Sequence, residues 1–311
     1  MRSDFSIKRI IVFIFCLTCA AGALIGCQRF LMAGENRAEL PVIEGAFYVG
    51  TDSCVPCHDD VYQQFKKTIH YRLNAAELKG VQRGCETCHG PGSKHLQTKG
   101  KAQDIISFSK LPPEQSSQMC LSCHQGKPTM DWRANVHMNN GVGCNDCHKS
   151  HKITGPKMVY LGDPDLCFSC HQEKKAQAML PSRHPLREKK MRCGSCHDNH
   201  GSENHNLKKQ RVNDVCFDCH AELQGPFVFE HAPAVEDCSI CHEPHGTVAN
   251  NLLRQSEPFL CLRCHRGHKQ NPKIGGSNPS AGALMTSCAQ CHSAVHGSDL
   301  PSQVNGGGLT R

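Results

Sequence analysis

A mostly irregular fold of short α-helices with little or no β-structure, organised around bound groups instead of a side-chain core, is what this 311-residue sequence predicts. Three observations lead there. The chain carries 23 cysteines but only 5% aromatic residues, with Trp132 the single tryptophan, too little large apolar side chain for a conventional core of this size. Gly (27) and Pro (17) are spread along it and interrupt any long helix. Ten times it repeats C-x-x-C-H, the spacing that attaches a c-type haem through two thioethers and supplies one axial nitrogen to its iron, where chance at this composition gives ~0.1 matches.

The motifs use twenty cysteines as thioether donors: Cys54 and Cys57, Cys85 and Cys88, Cys120 and Cys123, Cys144 and Cys147, Cys167 and Cys170, Cys193 and Cys196, Cys216 and Cys219, Cys238 and Cys241, Cys261 and Cys264, Cys288 and Cys291. Their histidines, the expected proximal ligands, are His58, His89, His124, His148, His171, His197, His220, His242, His265 and His292. A lone C-x-x-C is as easily a zinc knuckle or a disulfide; ten pairs with histidine at one fixed offset are not. The expected class is a multihaem cytochrome c with ten covalently bound haem c groups.

The formal charge of +7 invites a nucleic-acid reading. Removing residues 1–26 takes away three basic and one acidic residue and leaves +5. Ten ferric haems, each about −1 with both propionates ionised, bring the loaded protein to roughly −5, which argues against nucleic acid as a partner.

Residues 1–26 have the form of a signal peptide: Arg2, Lys8 and Arg9, then an apolar run from Ile10 to Ile25, short for a membrane span. Leu24 to Cys27 (LIGC) resembles a bacterial lipobox with Cys27 lipidated, and Gln28 after it, not Asp, points to the outer membrane. Residues 27–50 are then a lipid-anchored tether, 51–298 a decahaem domain and 299–311 a Gly-rich flexible tail.

Eleven histidines lie outside the motifs, and ten of them recur in register. Four modules read motif, linker histidine, motif, trailing histidine: Cys54 to His95, Cys120 to His151, Cys167 to His200, Cys216 to His245. A fifth, Cys261 to His296, has its middle histidine, His268, drawn in to three residues after the motif. The candidate distal ligands are therefore His70, His95, His137, His151, His184, His200, His231, His245, His268 and His296, one per iron, with His205 left over. Two histidines on opposite faces of one haem have Cα atoms roughly 12 Å apart, and three residues span at most about 11 Å. His151, His200, His245 and His268 therefore cannot complete their own haems and must serve a neighbour, tying consecutive haems together. A linker histidine 11 to 13 residues on can reach its own haem or the next. His95 is open between the two. Every motif ends in His, so no iron is marked for substrate, and the expected protein is an electron carrier and not an enzyme.

Short helices are expected over Asp59 to Lys79 and Glu173 to Leu180, and no strand. The interval Leu96 to Met119, with KLPPEQSS in it, reads as a surface loop.

The stretches CETCHGPGSKH, CNDCHKSH, CGSCHDNHG, CFDCH, CSICHEPHG and NNLLRQSEPFLCLRCH resemble the DmsE/MtrA-type decahaem cytochromes, over residues 50 to 297. The resemblance implies an elongated chain of ten packed haems with histidine on both faces of each iron. It also implies the periplasmic part of a porin and cytochrome conduit at the outer membrane. The partners would be an outer-membrane β-barrel porin, periplasmic electron-donor cytochromes, and an outer-surface multihaem cytochrome or terminal reductase. A lipid-tethered periplasmic shuttle is the alternative, and a multihaem reductase with one open haem a more distant one.

Overall fold

Each C-x-x-C-H folds as one helical turn, because an i to i+4 hydrogen bond is what brings its three reactive side chains onto one face. In all ten motifs the histidine N–H donates to the carbonyl of the first cysteine, at 2.8–3.1 Å. The computed structural model describes residues 40–75, 84–152, 158–159, 161–201, 206–265 and 287–301. The leader, Cys27, His205, His268 and most of the tail lie outside them. One unit of the chain, Ile43–Arg311, contains every motif; Met1–Val42 is another.

Among the described residues the longest helix is Val55–Phe65, 11 residues, and His58 inside it departs from helical geometry (φ −122°, ψ 34°). The single helix expected over Asp59 to Lys79 is two, Val55–Phe65 and Ile69–Ala75, with residues 76–79 undescribed. Thr68 separates them: its hydroxyl donates to Phe65 O (2.7 Å) and accepts from Tyr71 N (3.3 Å), capping the second helix. The helix expected at Glu173 to Leu180 is Gln172–Gln177.

The surface loop expected over Leu96 to Met119 is corrected. That interval holds the end of the helix Ser93–Gln97, 3-10 turns at Ala102–Asp104 and Phe108–Lys110, and most of the helix Pro113–Leu121. Pro113 opens that helix, where a missing N–H costs nothing, and Ser116 and Ser117 are buried on it.

There is no strand or sheet among the described residues, only isolated antiparallel bridges. Three repeat, His148 with Val159, His197 with Leu207 and His242 with Leu253, each closing a loop that leaves a motif histidine and returns. Among the described residues nine hydrophobic side chains are buried, and six of them form two small clusters, Leu121, Trp132 and Met138 against Cys144, and Phe168, Ala178 and Leu186 against Met191. Ten described polar residues are buried as well, so polar side chains hold the backbone where a core would otherwise do so. Glu86 accepts from the N–H of Val49, Gly50 and Gly92 (2.7–3.2 Å), and Phe47 N donates to Ser93 Oγ (2.9 Å), drawing the last residues of the expected tether into the motif-bearing body. No helix among the described residues is long and apolar enough to cross a membrane.

Candidate multihaem site

Nine histidine pairs bring their rings to nearly one separation. Their ring centroids are 5.7–6.4 Å apart: His58 with His95, His70 with His124, His89 with His151, His137 with His171, His148 with His200, His184 with His220, His197 with His245, His231 with His265, and His242 with His296. Two imidazoles on opposite faces of one metal, with bonds of about 2.0 Å and ring centres about 1.1 Å beyond each nitrogen, stand about 6.2 Å apart. Each pair joins one motif histidine to one histidine from outside the motifs. The remaining motif histidine, His292, is described, and the candidate left over for it, His268, is not.

The pairing has a rule that reach alone did not reveal. Numbering the motifs one to ten, each linker histidine meets the motif histidine two motifs ahead of the motif it follows: His70 the third, His137 the fifth, His184 the seventh, His231 the ninth. Each trailing histidine meets the one two motifs back: His151 the second, His200 the fourth, His245 the sixth, His296 the eighth. Partners are therefore not the consecutive motif expected for the trailing histidines, nor the motif's own or next expected for the linkers. Only His95, paired with His58 of the first motif, departs from the rule.

The rings are oriented from behind. His184 Nδ1 donates to Pro244 O (2.8 Å), His231 Nδ1 to Val295 O (2.9 Å), and His137 is bonded to the Asn199 carbonyl. In every case the acceptor is the residue just before the trailing histidine of the following module. His89 Nδ1 donates to Ile106 O (2.8 Å), His95 Nδ1 to Lys101 O (2.9 Å) and His242 Nδ1 to Asn251 O (2.8 Å). A carbonyl can only accept, so Nδ1 carries the proton and Nε2 is left as the ligating nitrogen. Burial lowers the pKa of His70, His89, His137, His151 and His296, which favours the neutral form that binds metal.

The cysteines form a second pattern. Within each module the first cysteines of its two motifs are side-chain neighbours: Cys54 with Cys85, Cys120 with Cys144, Cys167 with Cys193, Cys216 with Cys238, Cys261 with Cys288, the third and fifth of these pairs with their sulfurs within 4.8 Å. Between modules the second cysteines are electrostatic neighbours: Cys88 with Cys123, Cys147 with Cys170, Cys196 with Cys219, Cys241 with Cys264. Taken alternately, the two relations place each motif beside the next in chain order.

A set of residues missed in the sequence stands behind the first contact. The N–H of Cys85 donates to Thr51 Oγ1 (3.3 Å), that of Cys144 to Ser117 Oγ (3.3 Å), that of Cys193 to Asp163 Oδ1 (2.8 Å), and that of Cys238 to Asn213 Oδ1 (2.7 Å). In the fifth module Glu257 Oε2 takes the Ala289 N–H and the Ser287 hydroxyl, both at 2.7 Å. The available signal was a polar residue three or four positions before the first cysteine of every module.

Comparison with known proteins finds the repeated motif elsewhere. A family model described as "Doubled CXXCH motif" matches residues 137–176, 184–225 and 231–270, each match beginning at or just ahead of a linker histidine. A model described as "Cytochrome c554 and c-prime" matches residues 42–90 and 92–149. The multihaem cytochrome MtrA of Shewanella baltica (strain OS185) is 38% identical over 269 residues, which cover 81% of this chain and 80% of that one. The chain belongs to the MtrA-type multihaem cytochromes.

As a member of that family it binds haem c covalently through its C-x-x-C-H motifs and is an electron-transfer protein, not an enzyme. The residues present fit the group. The first cysteine is half-buried in all ten motifs and the second exposed in seven, so the thiols are open to something the size of a porphyrin edge. Two buried donors without a protein partner, Trp132 Nε1 and Arg183 Nε, lie at histidine pairs: the Trp132 ring is 5.7 Å from that of His200, and Arg183 adjoins His184. Such donors suit the carboxylates that a haem brings. When bound, haem iron supplies reversible one-electron chemistry, and two nitrogen ligands leave it no position for substrate.

Proposed function

We propose that this cytochrome carries ten haem c groups and passes electrons along them in chain order, from periplasmic donor cytochromes through an outer-membrane porin to an outer-surface cytochrome or reductase. The observation that carries the reading is the nine histidine pairs at the spacing of axial ligands, which lace the motifs together from the first to the ninth, with the motif cysteines neighbouring one another in chain order. The twenty motif cysteines supply the thioethers, the motif histidines the proximal ligands, and the paired histidines, with His268 for His292, the distal ones. Ten porphyrins each about 10 Å across exceed the roughly 40–45 Å of a bilayer. Cys27 supports an anchor on the periplasmic side of the outer membrane: residues 1–26 would be removed, Cys27 lipidated and the following residues would tether the haem body to it.

The test is electron transfer across a sealed vesicle. Protein isolated from outer membrane in mild detergent with its co-purifying partners is reconstituted, and external dithionite is asked to reduce a trapped acceptor. Transfer that requires a co-purified barrel establishes the conduit. No barrel and no transfer leaves a lipid-tethered periplasmic shuttle, the reading that the LIGC sequence favours by itself.

A further inference from the structure

The junctions between successive motifs are of two kinds. Between modules the second cysteines are electrostatic neighbours. Within modules the first cysteines meet because a polar side chain, rooted just ahead of the first motif, holds the backbone at the start of the second. The acceptor changes from hydroxyl (Thr51, Ser117) to carboxylate (Asp163, Glu257) to amide (Asn213), but its role does not. It lies three residues before the first cysteine in three modules, and four before it in the two where proline follows it, Asp163-Pro164 and Glu257-Pro258. An acceptor that recurs in place from module to module while its chemistry varies acts through where it holds the chain.

The geometry is tight at these points. Asp163 takes two donors, Cys193 N and Gly194 N, both at 2.8 Å, the arrangement of an anion at the first turn of the motif. One carboxylate oxygen of Asp163 and the sulfurs of Cys167 and Cys193 all lie within 4.8 Å of one another, and the same holds for Glu257, Cys261 and Cys288. With both sulfurs committed to thioethers these clusters would not hold a metal ion of their own; they would hold the two haems of a module by neighbouring attachment points. Asn213 is 1% exposed, accepts from Cys238 N, and donates to Ala234 O and Val235 O at 3.0 Å, so it fixes the approach to the second motif as well as its first turn.

We propose that Thr51, Ser117, Asp163, Asn213 and Glu257 are positioning residues that set the spacing of the two haems in each module, and so the rate of the within-module electron step. This rests on the haem reading above. No electron passes through the side chains themselves; they fix the distance between donor and acceptor groups, on which such a step depends steeply.

The experiment uses the full-length, haem-loaded protein. Haem is counted by mass and pyridine haemochrome, the haem pair is followed by its Soret circular-dichroism couplet, and electron passage is timed from one end to the other. Asp163→Ala is expected to keep ten low-spin haems, to weaken the couplet, and to slow passage by roughly tenfold, since displacements near 1 Å are costly in steps that depend on position. Asp163→Asn keeps an acceptor for the Cys193 N–H but not for the Gly194 N–H, and is expected to fall between Ala and the parent. Ser117→Ala, in a module whose acceptor carries no charge, should reproduce the Ala phenotype and stands in if Asp163→Ala loses haem. An unchanged couplet and rate in both Ala variants overturns the inference, as does slowing in Asp163→Ala and Asp163→Asn with none in Ser117→Ala, which would assign the effect to charge. A wild-type count below ten haems would count against the haem reading and leave the spacing role to be judged on the modules that are loaded.

Discussion

His184 and His200 are 16 residues apart in the same module, yet their rings are held in different ways. His200 sits on the short turn that leaves its motif, its N–H donating to Asp198 Oδ1 (3.1 Å), and its ring lies 17° from the plane of His148. His184 lies in irregular chain, its Nδ1 reaches the Pro244 carbonyl 60 residues on, and its ring stands 49° from His220. The contrast holds throughout. Trailing pairs, with His58 and His95, are nearly parallel at 14–17°. Linker pairs fall from 86° through 69° and 49° to 26° along the chain. Separation is common to both classes and orientation is not. A tether of three to six residues from a motif histidine goes with a ring fixed in its plane; a long linker fixes where the nitrogen is and leaves the plane to local packing.

The largest way to break this comparison is to delete one histidine of each class. His200→Ala and His184→Ala should each convert about one tenth of the iron to a high-spin ferric signal at low temperature. His184→Ala should also lower the thermal midpoint more, because it strips a bond between modules beside the Ser182–Thr247 bridge. Equal midpoints would show that the linkers do not stitch modules together.

Next comes the glycine that follows the trailing histidine. Gly246 has φ +147° and a Cβ there would run into the Gln177 carbonyl, so Gly246→Ala should cost about 3 kcal/mol or more. At Gly141, φ +75° with nothing within 4 Å, the same change should cost about 1 kcal/mol. Denaturant melts of the two variants measure the difference, and similar values would remove the crowded turn as the reason the trailing rings lie flat.

Asn135 tests whether a linker ring is steered locally. It is fully buried, caps His137 N (2.7 Å) and donates to Asn199 O (3.1 Å) and Gly201 O. Asn135→Ala should cost about 1–3 kcal/mol and change the low-spin EPR envelope of one haem while leaving the parallel class untouched. An unaltered envelope would place the control of the His137 plane elsewhere.

The smallest effect is electrostatic. Arg183, beside His184, donates to Glu188 at 2.6 Å and holds that carboxyl below its ordinary value. A depressed carboxylate stabilises above its unfolded pKa and loses the contribution as pH falls, so Glu188→Gln and the parent should differ slightly at pH 7 and converge between about pH 5 and 3. A difference that grows on acidification would reverse the assignment.

Much of this was legible in the residues. The motifs, the five modules and the exclusion of a trailing histidine from its own motif follow from spacing and chain reach. The partner two motifs away did not, because reach states what is too far and is silent among several positions within range. The helix Pro113–Leu121 was obscured by its prolines, which mark a helix start as readily as a loop. Thr51, Ser117, Asp163, Asn213 and Glu257 were missed for another reason: each is an ordinary polar residue alone, and the shared position shows only when the modules are superposed with a one-residue slip at proline.

The reciprocal lacing, two motifs forward and two back, also sets a timetable. A chain emerging N-terminus first closes its histidine pairs one at a time, at His95, His124, His151, His171, His200, His220, His245, His265 and His296. No member waits more than 62 residues for its partner, the span from His89 to His151. Assembly can therefore keep pace with the emerging chain, each new stretch completing a site begun earlier, and few reactive thiols and bare imidazoles need be held open at once.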